Sequence, residues 1–436
     1  MEGTISIDFG VQTGAVKPLH GVNNAPIRVR GGARLDEYRK AGIPFMRTHD
    51  TAGMWGGAHY VDIPNVFPDF DADENDPASY DFAFTDAYLK PVAEAGTEVF
   101  YRLGVTIENF WTIKAYRIDP PKDFGKWARI CEHVVRHYNE GWADGFHWGI
   151  RYWEVWNEPE NPPMWTGTQA EYFELYRVTA NLLKREFPEI RVGGYASCGF
   201  YGAFDDTGNE FLHTFLTWFD DFLAFVKAPG TAAPLDFFSW HIYTDDPATV
   251  LRHARYCRDK LDAAGFTEAE AILDEWNRSG GDMFAKMRDM TGGAFTADVM
   301  CRLQQADDVD LACYYDAQPD AAFGGLFVRH TDTPSRAYYA VKAFGKLLGL
   351  SHEAAYTAET DLAAAAAVNG DKRAAVVSNY EKEDRLVRFA FPGAKKLRLY
   401  LLDETHDLSL IAEAPADTIV TEVKKNTVLC AEAEGR

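Results

Sequence analysis

Between residues 18 and 348, short apolar runs alternate with longer stretches whose apolar positions recur every three or four residues. The short runs fall at 18–22, 45–48, 98–103, 152–156, 190–193, 236–241, 271–273 and 311–315. Runs of that length, bounded by polar or turn residues, predict buried strands. A helical pattern follows most of them. The clearest places Phe124, Trp127, Ala128, Cys131, Val134, Val135 and Tyr138 on one stripe, with Pro120-Pro121 at its entry and Gly141 at its exit. Another opens with Thr168-Gln169-Ala170-Glu171, the pattern of a capping box. The last covers 335–348. Eight strand–helix alternations predict eight parallel strands, and the expected fold class is α/β, a (β/α)8 TIM barrel. A doubly wound open sheet competes with it. That fold needs a glycine-rich phosphate loop after an early strand, and neither Gly31-Gly32 nor Gly56-Gly57 forms one.

After residue 350 the period changes from helical to alternating. Segments 361–368 and 373–379 flank Asn369-Gly370 and read as a hairpin, and 387–391, 397–402 and 427–431 continue as strands. Residues 4–9 alternate in the same way. The expected organisation is a catalytic barrel over 12–350 and a small accessory β-sandwich over 351–436, joined by the N-terminal strand 1–11.

Composition narrows the function classes. The chain holds 11 Trp, 21 Tyr and 29 Phe, most of them needed for a large core. Tryptophans beside polar residues favour a ligand with flat apolar faces, such as a pyranose. The net charge of −22 argues against nucleic acid, because phosphate binding requires clustered Lys and Arg. Six cysteines without CxxC or zinc spacing read as buried free thiols and suit a reducing compartment. Met1-Glu2-Gly3-Thr4-Ile5-Ser6-Ile7-Asp8 carries no basic region or long apolar core, so the expected localisation is cytoplasmic. No apolar run reaches membrane-spanning length. Asp69-x-Asp71-x-Asp73-x-Asn75 has the acidic spacing of a calcium loop but lacks its glycine and its closing glutamate, and reads as a solvated loop. The histidines show no ligand spacing. No metal and no other cofactor is expected.

The chemistry concentrates at strand ends. In Tyr152-Trp153-Glu154-Val155-Trp156-Asn157-Glu158-Pro159 the strand pattern stops at the proline, which cannot donate to a sheet ladder. Asn157 and Glu158 are left at a strand's C-terminal tip, where barrel enzymes place their catalytic groups. A carboxylic acid among indole rings, with an amide beside it, suits a proton donor in a sugar pocket. A carboxylate neighbour and tryptophan walls are expected to raise its pKa. Asn157 is the candidate for a sugar 2-hydroxyl. A second carboxylate site lies in Ile272-Leu273-Asp274-Glu275-Trp276-Asn277. Two such groups on two strand ends are what glycoside hydrolysis needs. Strand alternation turns one of Asp274 and Glu275 to the axis and the other to the helices, and the pattern leaves open which. Tyr243, following His241, is placed to donate to the nucleophile. Further substrate-contact candidates are His49 and Asp50, His20 and Asn23, and Tyr315, Asp316 and Gln318. Phe110, Trp111, Trp165 and Trp276 are candidate sugar platforms.

Taken together, these residues resemble glycoside hydrolase family 39, which includes β-xylosidases and α-L-iduronidases within a clan of retaining (β/α)8 glycosidases. The matching pieces are Trp153-Glu154-Val155-Trp156-Asn157-Glu158-Pro159, Asp274-Glu275-Trp276-Asn277 with Ser279, Arg47-Thr48-His49-Asp50, Pro120-Pro121 through Trp127 with His137-Tyr138, and His241-x-Tyr243. The resemblance implies Glu158 as acid/base and Glu275, rather than Asp274, as nucleophile. It implies an exo-acting retaining hydrolase of glycosides or oligosaccharides, with a non-reducing-end β-xyloside leading over glucosides, galactosides and arabinosides. It is also compatible with a homo-oligomer. A uronide substrate would need a cation, for which Arg278 is the nearest candidate. Asp274 and Trp276 depart from the residues expected beside the nucleophile in xylosidase-type members. The competing class is a non-catalytic sugar-binding barrel.

Overall fold

A computed structural model describes residues 2–27, 34–49, 61–106, 118–279, 289–318, 325–328, 331 and 333–434. The chain opens with β1 (Glu2–Ala15). Eight parallel strands then close into a barrel: β2 (Gly21–Asn23), β3 (Phe45–Arg47), β4 (Glu98–Leu103), β5 (Tyr152–Val155), β6 (Arg191–Ser197), β7 (Phe237–Tyr243), β8 (Glu270–Asn277) and β9 (Leu311–Tyr314). Closure is made where Val22 pairs with Tyr314. Around the barrel lie α1 (Leu35–Ala41), α2 (Ile63–Val66), α3 (Ala83–Glu94), α4 (Phe124–Asn139), α5 (Gln169–Glu186), α6 (Glu210–Lys227), α7 (Pro247–Ala264), α8 (Met290–Gln305) and α9 (Arg336–Leu348). In α4 the apolar stripe from Trp127 to Tyr138 is buried, and Asp123 caps its first turn. In α5 Thr168 and Glu171 form the full capping box, a device that contributes about 1 kcal/mol.

Alternation along the strands builds the barrel interior in layers. Phe45, Phe100, Tyr152, Phe237, Ile272, Leu311 and Cys313 form a closed apolar floor. Two residues further along β3, β5 and β8 come Arg47, Glu154 and Asp274, all three wholly buried. The residues between, Met46, Trp153 and Leu273, join the large core under the helices. The period of two therefore stacks a charged layer directly on an apolar one.

The remaining strands are β10 (His352–Ala358), β11 (Ala363–Asn369), β12 (Lys372–Asn379), β13 (Arg385–Ala390), β14 (Lys396–Leu402), β15 (Asp407–Ala414), β16 (Thr418–Val423) and β17 (Thr427–Glu434). With β1 they form one nine-stranded sheet in the order β15-β14-β17-β12-β11-β10-β1-β13-β16. β1 pairs antiparallel with β10 and parallel with β13, and it runs to Ala15, past the boundary expected at residue 11. The sheet curls over on itself: Asn379 Nδ2 at the end of β12 donates to the carbonyl of Val423 in β16, five strands away in sheet order (3.0 Å). Its alanine-rich strand β11 is buried on both faces. Ala363, Ala365 and Ala367 enter the barrel-side core, while Ala364, Ala366 and Val368 enter the sheet's own core. Small side chains let the sheet lie close to α8, where Ser378 Oγ donates to the carbonyl of Ala294 (2.7 Å). Strands β10, β15 and β16 were not among the expected elements.

The six cysteines are free, and Cys131, Cys257, Cys301, Cys313 and Cys430 are buried. In the acidic loop Asp69 and Asp73 accept from the backbone N–H groups of Asp71 and Asn75, so their carboxylates serve local turns. Among the described residues no helix is long and apolar enough to cross a membrane.

Candidate active site

Two breaks in strand alternation build the site. The first follows β5. Val155 and Trp156 both join the core beneath the helices, because Trp156 takes a left-handed backbone (φ 79°). Its N–H donates to the carbonyl of Leu103 (2.7 Å), and its indole N–H donates to that of Met164 (2.9 Å). Gly104 makes room for it. At φ 133° its missing Cβ would stand 3.0 Å from the Trp156 ring. Glu158 is also left-handed (φ 47°), and its N–H donates to the Ala196 carbonyl (3.0 Å). Non-glycine residues in this region are strained, and such strain persists where the surroundings over-determine it. The result turns Asn157 and Glu158 toward the mouth of the barrel, where both hydrogen-bond to inward-facing side chains.

The second break is in β8. Trp240 pairs with Leu273 and His241 with Glu275, so Asp274 is the extra residue of a bulge. Alternation alone predicted that one of the two carboxylates would face the helices. The bulge instead turns both inward, Asp274 to 2.9 Å and Glu275 to 3.3 Å from Arg47. Bulges commonly re-aim side chains beside active sites.

Glu158 and Glu275 face each other there. One oxygen of each, with a ring nitrogen of His241, lies within 4.8 Å of the others. His241 Nδ1 is 2.7 Å from Glu158 Oε1, and Asn161 Nδ2 donates to Glu158 Oε2 (2.8 Å). Tyr243 donates its hydroxyl to Glu275 Oε1 (2.6 Å), and its own N–H donates to Tyr201 Oη (2.7 Å). His49 Nε2 stands 3.6 Å from Glu275 Oε2. The Tyr315 ring sits edge-on to the rings of His49 and Tyr243, at 6.2 and 6.4 Å.

The charged layer beneath is organised by Arg47. Its Nη1 donates to Asn23 Oδ1 (3.0 Å), its Nη2 to Asn157 Oδ1 (2.7 Å) and its Nε to Glu154 Oε2 (2.8 Å). Burial works against the guanidinium, but Asp274, Glu154 and Glu275 overcome it and keep Arg47 charged. Burial also pushes Glu154 up to about 8, with Arg47 opposing. Glu160, buried beside Glu158, is likewise pushed to about 8.

Burial would raise Glu158, but the hydrogen bond and charge of His241, with Asn161 and Cys198, hold it below the ordinary carboxylate value. This corrects the expectation of a raised value. The tryptophans of the motif pack under the helices, and a histidine faces the carboxylate instead. Burial lowers His241, yet the charges of Glu275 and Asp274 and the bond to Glu158 carry it well above the usual histidine value. Glu275 is raised by burial and by Glu158, against His241, Arg47 and Tyr243. These shifts favour the imidazolium form of His241, which lies between two carboxylates.

Several sequence candidates sit elsewhere. Trp276 is wholly buried, edge-on to Tyr314 at 5.4 Å, because the bulge ends there and normal alternation sends it to the helices. It is removed as a sugar platform. Trp165 packs edge-on against Trp156 at 5.1 Å and is core as well. Asn23 is also wholly buried and donates to the carbonyl of Asp274 (2.7 Å), so it supports the charged layer rather than meeting a ligand. His20 precedes β2, approaches the Gly42 carbonyl and packs on Phe344. Asp50, Phe110 and Trp111 lie outside the described residues. Glu154, Glu160 and Asn161, which the structure places around Arg47 and Glu158, did not stand out in the sequence, and Arg47 appeared only within a motif. The signal for Arg47 and Glu154 was their parity, each two residues beyond an inward aromatic.

The sequence matches the family profile described as glycosyl hydrolases family 39 over residues 42–260. A β-xylosidase of Geobacillus stearothermophilus is 35% identical over 291 residues, which are 59% of this chain and 51% of that protein. A β-xylosidase of Caldicellulosiruptor saccharolyticus is 31% identical over 179 residues, 39% of this chain and 32% of that protein. The chain therefore spans about half the length, or less, of these relatives. Among solved structures, a glucosidase from Croceicoccus marinus superposes with a TM-score of 0.82 at 23% identity, over 100% of both chains. A monomeric β-xylosidase from Caulobacter crescentus CB15 does so with a TM-score of 0.71 at 19% identity, over 99% of both. At these identities the likeness concerns the fold.

Proposed function

The chain belongs to glycosyl hydrolase family 39, and on that premise we propose that it is a retaining exo-glycosidase whose leading substrate is a non-reducing-end β-xyloside. The observation that carries this reading is the pair Glu158 and Glu275, with oxygens within 4.8 Å across the barrel mouth. Retaining enzymes hold their carboxyls about 5–5.5 Å apart and inverting ones about 6.5–9.5 Å apart, to admit a water. The β-xylosidase relatives support the choice of sugar.

Glu275 attacks the anomeric carbon as Glu158 protonates the departing oxygen, and the Glu275 ester forms as the glycosidic bond breaks. The upward shift of His241 favours a proton there, and the 2.7 Å contact gives it a path to Glu158 Oε1. Once Glu275 is esterified, its charge no longer favours the imidazolium. Glu158, left anionic, then takes a proton from the water that opens the ester. Asn157, with its carbonyl oxygen held by Arg47, presents its amide N–H groups to the sugar 2-hydroxyl.

Aryl glycosides test the assignment of the acid. Glu158→Ala is expected to hydrolyse a dinitrophenyl xyloside at near the wild-type rate of ester formation, and to lose about 10²- to 10⁴-fold on a methylphenyl xyloside. Equal losses on both would remove Glu158 from this role. No hydrolysis across xylosides, glucosides, galactosides and arabinosides would favour the sugar-binding alternative.

Tyr243→Phe removes a donor from Glu275. The nucleophile's pKa should rise further, so the acid limb of the kcat/KM–pH profile should move to higher pH, with a loss on the order of 10²-fold at the optimum. An unmoved acid limb would separate Tyr243 from the ionisation of Glu275.

A further inference from the structure

A cavity of about 500 Å³ opens where the ends of β7 and β8 meet α8 and the end of β12. Neither Glu158 nor Glu275 lines it. Arg278, the residue after β8, reaches into it while only 6% exposed. Its Nε donates to Tyr380 Oη (3.2 Å), and that hydroxyl donates to the Asp245 carbonyl (2.7 Å). Arg278 Nη1 is buried with no hydrogen-bond partner. Among the described residues no carboxylate lies within ion-pair distance of this guanidinium, although acids line the same cavity.

Those acids are mostly engaged. Asp298 is bound by Arg302 (2.5 Å), Glu381 pairs with Lys425 (2.7 Å), and Asp246 caps α7. The carboxylate of Asp245 is exposed at the rim. A buried fork of N–H donors selects a planar oxyanion and holds it two-pronged. The surrounding carboxylates repel a second negative charge and accept from hydroxyls. Phosphate, about half dianionic at neutral pH, suits this ring less well than a single carboxylate, and a neutral sugar leaves Arg278 unanswered. The geometry points to a second, non-catalytic sugar site that takes a uronic acid, its carboxylate on Arg278 and its hydroxyls on the neighbouring acids. This goes beyond the hydrolase reading and stands without it. The uronic acid has two sources, the free sugar acid or a glucuronosyl branch on a xylo-oligosaccharide.

The test is calorimetric titration of the whole chain with glucuronate, glucose, inorganic phosphate and a glucuronosyl-branched xylo-oligosaccharide. Glucuronate should bind, with glucose and phosphate each at least tenfold weaker. Arg278→Gln should weaken glucuronate roughly 10- to 100-fold while aryl xyloside hydrolysis stays at the wild-type rate. Tighter binding of the branched oligosaccharide than of glucuronate would assign the site to branched chains, and equal or weaker binding would assign it to the free acid. If Arg278→Gln does not fold, Tyr380→Phe, which frees the guanidinium from the Tyr380 hydroxyl, should shift glucuronate affinity and leave glucose unchanged. No glucuronate binding by the wild type, or equal binding by wild type and Arg278→Gln, overturns the proposal. The hydrolase reading is unaffected by either result, since it is read from xyloside turnover.

Discussion

Replacing Glu275 by alanine is expected to lower kcat at least about 10⁴-fold, a rise of about 5 kcal/mol in the barrier. The variant keeps the proton donor and loses only the group that attacks. The space left lies under His49, Tyr243 and Arg47, all within 3.6 Å of the removed carboxylate, so a small anion is drawn into it. Added azide should restore part of the rate with a good leaving group. Because azide then attacks from the face Glu275 occupied, the glycosyl azide should have inverted configuration. Rescue of Glu158→Ala should give the retained azide. Two products of the same configuration would mean that the two glutamates do not act from opposite faces.

Arg47→Met is expected to harm stability and turnover together. It leaves Glu154 and Asp274 in the charged layer, and Glu275 above it, with their shared cation gone. Breaking a buried ionic cluster by removing one partner costs about 3–5 kcal/mol, which a denaturant melt would read as a lower midpoint. Turnover should fall on the order of 10³-fold, since Asn157 loses its anchor and Glu275 a neighbouring charge. Arg47→Lys restores a point charge but not the branched reach from Asn23 to Glu154 to Asn157. It should recover part of the stability and little of kcat. A variant with wild-type midpoint and rate would show that Arg47 is a bystander.

The barrel was legible because its signal is strong at the places that matter. Residues 98–103 were expected as a strand and are β4, and the apolar stripe after Pro120-Pro121 is α4. Strands β15 and β16 escaped notice for a physical reason. They are the two edges of the nine-stranded sheet, so neither is paired on both sides, and their side chains are mostly exposed or half-exposed. Exposed apolar residues, Leu410, Ile411 and Val420, blur the alternation that a buried face imposes. β10 was missed beside them, and it pairs with the bulged part of β1.

At the site, the proline after Glu158 announced the strand end, and the structure has Asn157 and Glu158 there. The inward turn of both Asp274 and Glu275 was not legible. It depends on one extra residue in β8, and a bulge is set by pairing between strands rather than by composition. The same bulge sends Trp276 under the helices, the opposite of the expectation for an aromatic beside a carboxylate. Likewise the upward shift of His241 follows from three carboxylates converging in space.

The placement of β1 constrains how this molecule can be made. Its residues leave the ribosome well before the strands they pair with: Ile5 pairs with Ala358 on one side and with Phe389 on the other. At about 5–20 residues per second, roughly 20–70 s pass before either partner exists. During that interval an alternating apolar segment waits with both edges unsatisfied, available to any neighbouring chain. Capture of β1 therefore has to wait for β10 and β13, and a nascent polypeptide halted before residue 352 would carry that adhesive ribbon exposed.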